Sequence, residues 1–260
     1  MMKKSICIEK LFVELPFYDR FAKVREAGFD YVEFGSWEQH DVKTIKGLLE
    51  RYQLKLGCFS GDKDYNLIDP SHSREFMDYL KRSVEVAHEL NCENLVLHSN
   101  ALAEEGRMCT AGNELNDRTK IASATKNLML ACEVAEAGNI TLQLEPVSTY
   151  AKPGYYMTTS ASAGDIIRVV NSPNLKLLYD VFHMQLMEGD LVNTIRKNAD
   201  IIGYVHIGDV PDRHEPGTGE VNYEYIKHVL IDELHYDGIF AFELSPATTM
   251  EACIRAMHAF

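Results

Sequence analysis

Short apolar runs alternate along this chain with stretches whose apolar residues recur every three or four positions. Residues 5–8 predict a first strand. Pro16 then suits a first helical position, and Phe17, Phe21, Val24 and Ala27 share one helical face before Gly28 closes it. Residues 31–34 predict a second strand, Val42, Ile45, Leu48 and Leu49 a second helix, and residues 55–60 a third strand stopped by Gly61 and Asp62. A turn at Asp69, Pro70 and Ser71 enters a long amphipathic helix to about Leu90, with Phe76, Leu80, Val84 and Ala87 inward. Residues 94–98 form the fourth predicted strand. After a loop over 101–112, a helix runs from about Glu114 to Ala137, with Gly138 and Asn139 as its stop signal.

The second half repeats the scheme. Predicted strands cover residues 141–145, 177–180, 201–206 and 239–243. Pro146 prevents a helix from following the first of these at once, and a loop with Lys152, Pro153 and Gly154 leads to a helix over about 162–170. Glu188, Gly189 and Asp190 offer a turn with a helix start. Further helices are expected near 191–196, 223–234 and 249–258. Such alternation means parallel strands with crossover helices. Eight units in 260 residues, with no linker or composition break, predict one α/β domain over 1–260, a closed (β/α)8 TIM barrel rather than an open sheet.

Four successive strand-like runs end in a potential metal ligand: Glu145, Asp180, His206 and Glu243. They stand roughly 30 residues apart, the length of one βα unit, so neighbouring strands would bring all four above the same half of the barrel mouth. A single acidic residue at a strand end is most often a cap or an ion-pair partner, but four at consecutive strand ends point to a site. Three carboxylates and one imidazole, without a thiolate, suit Mn²⁺ or Mg²⁺ with positions open for substrate oxygens. Co²⁺ can substitute, whereas Zn²⁺ more usually recruits Cys or additional His. His98 alone at a strand end reads as a satisfied core residue. Trp37 suits either an apolar wall for substrate or rim packing. Gly217 and Gly219 suit a lid hinge, a phosphate contact or a plain turn.

The net charge of −13, with no cluster of Lys and Arg, disfavours nucleic acid as a partner. No apolar run approaches the roughly 20 residues needed to span a bilayer, and the basic start meets Glu9 too early for a signal peptide; a cytoplasmic enzyme is expected. The six cysteines form no CxxC pair, so reduced and mostly buried thiols are expected.

Two stretches are long enough to carry a family likeness: YDVFHMQLMEGD over 179–190 and HIGDVPDRHEPGTGEVNY over 206–223. With FVELPF over 12–17, AGFDYVEF over 27–34, and Glu145-Pro146 followed by Pro153-Gly154, they resemble the hydroxypyruvate isomerase branch of the xylose-isomerase-like TIM barrels, across essentially the whole chain. The resemblance implies a divalent metal on Glu145, Asp180, His206 and Glu243, with the two glutamates as the acid/base pair. It further implies that His183 and Arg213 touch the substrate, and that the protein is a homo-oligomer in carbohydrate metabolism. Chemically, two oxygens chelated by the ion would acidify the C–H between them, and one glutamate would remove the proton that the other returns. The plainer alternative for Arg213 is a solvent-facing loop charge.

Departures from the branch are also visible. The third ligand position there is more often Gln; His206 resembles the ketose 3-epimerases that act on tagatose or psicose. After Glu145 the branch tends to carry Asn and then Thr-Arg-Asp, where this chain has Ser148, Thr149, Tyr150 and Ala151. A metal-dependent isomerase of a small hydroxy-carbonyl compound is therefore expected first, a ketose 3-epimerase second and an inosose-dehydratase-like lyase third. An endonuclease-IV-like repair enzyme would show further His/Asp ligands and a basic face. A non-catalytic metal-binding protein would not need the two glutamates with His183 and Arg213 beside them.

Overall fold

In the computed structural model, which describes residues 2–103 and 106–260, nine parallel strand segments form one sheet. Met1, and Glu104 and Glu105 within the predicted 101–112 loop, lie outside the described residues. The segments are β1 (Lys3–Cys7), β2 (Tyr31–Glu33), β3 (Lys55–Leu56), β4 (Phe59–Ser60), β5 (Asn94–His98), β6 (Thr141–Glu145), β7 (Leu175–Asp180), β8 (Ile202–Ile207) and β9 (Ile239–Phe242). Their order is β3-β2-β1-β9-β8-β7-β6-β5-β4. The two ends of that order are consecutive in the chain: β3 pairs with β2 and β4 with β5, so Gly57 and Cys58 between them join the sheet into a barrel. The predicted third strand is thus present but interrupted. At the break Gly57 donates its N–H to Val32 at 2.8 Å, and a side chain on Gly57 would meet the Tyr204 hydroxyl at 2.5 Å.

Around the sheet lie α1 (Arg20–Glu26), α2 (Val42–Tyr52), α3 (Ser73–Glu89), α4 (Asp117–Gly138), α5 (Ser160–Val170), α6 (Val181–Met187), α7 (Leu191–Lys197), α8 (Tyr223–His228) and α9 (Met250–Ala259). Their ends follow local chemistry. Asp41 and Asn116 accept N–H groups at the starts of α2 and α4, and Thr159 makes a capping box with Ser162 at the start of α5. Gln53, Asn139 and Asn171 take left-handed φ angles at the ends of the same three helices. Besides the interrupted strand, two helical stretches differ from expectation. The 223–234 stretch is α8 followed by a π-helical turn, Val229–Glu233. Helix α6 was not predicted, because Asp180 both ends β7 and caps α6, leaving no polar linker to mark the boundary.

Apolar packing divides into two layers. The larger cluster fills the space between sheet and helices. A smaller one of Cys58, Val96, Leu178, Tyr204, Ile239 and Ala241 fills the barrel itself. Strand side chains alternate between these two faces, so the residues two positions beyond Leu178, Tyr204 and Ala241 also face inward, at the mouth: Asp180, His206 and Glu243. Trp37 packs on α3, donating to Ser83 Oγ at 3.0 Å and stacking on Tyr79, which is the rim-packing role. All six cysteines are free, and all but Cys109 are buried. Among the described residues no helix is long and apolar enough to cross a membrane.

Candidate active site

The strand register sets the site. Glu145 is the partner of His98 across β5–β6, and Asp180 is the partner of His206 across β7–β8. Glu243 directly follows β9. These positions bring one ligand atom each from Glu145, Asp180, His206 and Glu243 within 4.8 Å of one another. The Asp180 side chain is wholly buried, and Glu243 keeps 22% of its surface open. The opening therefore lies on the Glu243 side.

Each carboxylate has a positive partner, His98 for Glu145 and a shared Arg213 for Asp180 and Glu243. His98 Nε2 stands 3.3 Å from Glu145 Oε2, while His98 Nδ1 meets Asp62 at 3.0 Å. Burial alone would raise the Glu145 pKa, but His206 and His98 hold it well below the usual carboxylate range. His98 moves the other way: burial would lower it, and Asp62 and Glu145 together raise it to about 10. Arg213 Nη2 donates to Asp180 Oδ2 at 2.6 Å and to Glu243 Oε2 at 2.7 Å, its Nε donates to the Glu243 carbonyl at 2.7 Å, and its guanidinium lies over the Phe182 ring. Against the cost of burial, Arg213 holds both carboxyls below their ordinary values.

His183 lies one turn beyond Asp180, whose carboxylate accepts its backbone N–H at 3.2 Å. Burial lowers the His183 pKa, which favours a neutral ring. In that state Nε2 accepts from Arg213 Nη1 at 3.0 Å and Nδ1–H donates to Ser148 Oγ at 3.1 Å. All six residues expected from the sequence thus meet at one place. Arg213 is not a solvent-facing loop charge.

The loop that delivers Arg213 is organised by Asp209. Its carboxylate accepts the backbone N–H groups of Val210, Gly217, Gly219 and Val221 at 2.9–3.0 Å. A side chain at Gly219 would lie 1.9 Å from the Val210 carbonyl, so only glycine fits. The two glycine N–H groups serve this internal carboxylate, which accounts for the motif as a turn rather than a phosphate contact. Asp209→Ala is expected to cost about 3 kcal/mol, since buried donors lose a charged acceptor; the urea midpoint measures it.

The donor set fits a divalent cation. Both ring nitrogens of His206 are buried without a hydrogen bond of acceptable geometry. Nδ1 lies 3.1 Å from Glu243 and 3.7 Å from both Glu145 and Asp180. A buried nitrogen facing three carboxylates across cation-sized gaps, with oxygen and imidazole donors only, matches a hard or borderline ion.

Sequence reasoning missed Glu33, Asp62 and the contact of Ser148 with His183; His98 is the satisfied buried residue expected, held between Asp62 and Glu145. Glu33 ends β2 and is buried beside His206, 3.4 Å from Nε2. Burial pushes its carboxyl up, against the pull of His206 and Tyr204. Glu33 and His98 carry the same signal as the four predicted residues, a polar side chain closing a buried strand. Asp62 and Ser148 lie in loops and carry no such signal.

The site occupies the C-terminal mouth of the parallel barrel, where such barrels carry their chemistry. A family profile described as xylose isomerase-like TIM barrel matches residues 21–258. A hydroxypyruvate isomerase of Escherichia coli (strain K12) is 32% identical, covering 99% of this chain and 98% of its own. A 2-oxo-tetronate isomerase of Haemophilus influenzae is 31% identical, covering 95% and 94%. A crystal structure described as an AP endonuclease, family 2, from Brucella melitensis superposes with a TM-score of 0.91 at 28% identity, covering 100% and 99%. D-psicose 3-epimerase from Clostridium cellulolyticum H10 superposes with a TM-score of 0.79 at 19% identity, covering 98% and 90%, a likeness of fold. The chain belongs to the xylose isomerase-like TIM barrels. It is an isomerase.

Proposed function

We propose that this isomerase acts on a small 2-oxo acid bearing a neighbouring hydroxyl, of the hydroxypyruvate type. The carrying observation is the convergence of Glu145, Asp180, His206 and Glu243 within one cation's reach, with Glu145 closing β6, Glu243 following β9, and β7 and β8 between them. The near full-length likeness to hydroxypyruvate and 2-oxo-tetronate isomerases supports the substrate class. A divalent ion, Mn²⁺ or Mg²⁺ by donor type, would be held by those four residues and would polarise adjacent carbonyl and hydroxyl oxygens as a Lewis acid.

The chain's own residues divide the remaining tasks. One glutamate takes the proton from the hydroxyl-bearing carbon, and the electron pair forms an enediolate with the neighbouring carbonyl carbon. The other glutamate takes the hydroxyl proton and delivers it to that neighbouring carbon, and the first passes its proton to the former carbonyl oxygen, so both end as carboxylates and the ketone becomes an aldehyde without loss of atoms. The partners of Glu145 and Glu243 hold both as carboxylates in the metal-free protein. Arg213 has five N–H donors, and four of them reach Asp180, His183 and Glu243. The remaining Nη1–H is assigned to a substrate oxygen, with His183 beside it. Ser148, where the branch tends to carry Asn, holds His183 Nδ1 and so sets the ring that faces the substrate. His206 at the ligand position favours a second reading, a ketose 3-epimerase with the same glutamate pair.

Proton NMR in D₂O tests both readings. Metal-stripped protein reconstituted with Mg²⁺ is offered hydroxypyruvate, 2-oxo-tetronate and several free ketoses separately. Deuterium entering beside the carbonyl of a 2-oxo acid, with the aldehyde isomer formed, is the expected result. Exchange at C3 of a ketose alone would replace it by the epimerase reading, and exchange in none would overturn both.

A further inference from the structure

We infer that Glu33 is a positioning residue that fixes the tautomer and orientation of His206 from beneath the site. The inference rests on the metal reading above. Glu33 ends β2, and Tyr204 and His206 stand two residues apart on β8, so all three project into the barrel. The carboxylate is almost fully buried, and three groups converge on it. The Tyr204 hydroxyl donates to Oε2 at 2.6 Å, the Cys58 thiol approaches the same oxygen at 3.6 Å, and His206 Nε2 lies 3.4 Å from Oε1.

The imidazole therefore stands between two acidic environments. Nδ1 faces Glu145, Asp180 and Glu243, while Nε2 faces Glu33, with the Cys58 thiol beside both. The nitrogens of one ring point in opposite directions, so a proton held toward Glu33 on Nε2 leaves the Nδ1 lone pair for a cation. Tyr204 fixes the free rotation of the carboxylate, and its ring also packs edge-on against His206 at 5.6 Å. A neutral side chain in place of Glu33 would fill the same space but would hold the Nε2 proton less firmly.

Glu33, Cys58 and His206 also lie within 4.8 Å of one another by ligand-type atoms. A second ion there would have to displace the Tyr204 hydroxyl and the thiol from Oε2. Gly57, whose close approach to Tyr204 admits no side chain, walls the same space. The positioning role needs no such displacement, only a small turn of the ring that brings Nε2, 3.4 Å from Oε1, into line for a hydrogen bond.

The test is Mn²⁺ affinity of the metal-stripped full-length chain, read by electron paramagnetic resonance titration of free Mn²⁺, which does not depend on turnover. The wild type is expected to bind one ion, and Glu33→Gln to bind one ion 10- to 100-fold more weakly. Tyr204→Phe, which keeps the packing and removes one donor from Glu33, is expected to weaken binding by about 2- to 10-fold. In a His206→Asn background, Glu33→Gln should have little further effect, because its action runs through the ring. Wild-type binding with unchanged affinity in Glu33→Gln and Tyr204→Phe would overturn the inference alone. So would an undiminished Glu33→Gln loss in the His206→Asn background, or two wild-type ions of which Glu33→Gln loses one. Failure of the wild type to bind Mn²⁺ would overturn the metal site and this inference with it.

Discussion

Glu145→Gln is expected to lower kcat/KM for the responsive 2-oxo acid by roughly 10²- to 10⁴-fold, the range for losing a positioned general acid or base. Deuterium exchange in the NMR assay should fall with it. The substitution is nearly isosteric, so it changes charge and proton affinity more than shape. Glu145 lies between His98 and His206, with Tyr155 donating to its backbone carbonyl at 3.0 Å, and the amide would inherit a fixed place. Glu243→Gln should cause a loss in the same range, since removing and returning the proton are both required for turnover. The two variants should nevertheless differ in exchange. If one glutamate removes the proton and the other only returns it, the first variant loses washout of label while the second retains part of it. Equal and complete retention of exchange in both would remove the glutamates from the chemistry.

Adding Mn²⁺ at a hundred times its Kd is expected to stabilise the folded chain by about 2.7 kcal/mol. That corresponds to a rise in Tm of roughly 5–10 °C for a protein of this size. Asp180→Asn should abolish the rise, because it removes the most deeply buried ligand of the four. A thermal-shift titration against a chelator measures both. The increment should also grow as pH rises from about 6 to 8. Burial alone would lower the His206 pKa, but Glu33, with Asp180 and Glu145, raises it well above the ordinary value. Its proton thus stabilises the metal-free fold fully below the unfolded imidazole value of about 6.5, and that contribution is lost as pH rises through the raised folded value. Cation binding displaces the same proton, so it competes less as pH increases. Glu145 and Asp180 have depressed folded values, and their contributions are lost only in acid, below this window.

Why the ligand positions were legible and their supports were not follows from how strands display side chains. Glu145, Asp180, His206 and Glu243 each close an apolar run, and the run itself announces a buried strand, so position and chemistry appear together in the sequence. Register then does the rest, placing Asp180 opposite His206. Glu33 and His98 close strands in the same way, but sequence shows neither which polar residue its ring or carboxylate will meet nor how far across the barrel it reaches. The Asp62–His98 pair joins a loop to a strand 36 residues on, and Ser148–His183 spans 35; neither separation has a periodicity to betray it. Helix α6 was hidden for a different reason. Asp180 serves as strand end, helix cap and site carboxylate at once, so the usual polar punctuation is missing. The interrupted strand β3–β4 was equally invisible, because an apolar run around one glycine looks continuous.

That interruption has a consequence for how the molecule breathes. Ladder hydrogen bonds are fewest where β3 and β4 hold two residues each, and most numerous from β5 through β9. Amide protons should therefore exchange with solvent fastest at the seam and slowest on β6 to β9. The seam adjoins β2 and β5, not the strands that carry Glu145, Asp180, His206 and Glu243. Fluctuations that part the barrel would leave that quartet on its own strands, and would reach it through Tyr204, whose hydroxyl packs against the interrupting glycine, through Glu33 on β2 beside His206, and through His98 on β5 beside Glu145.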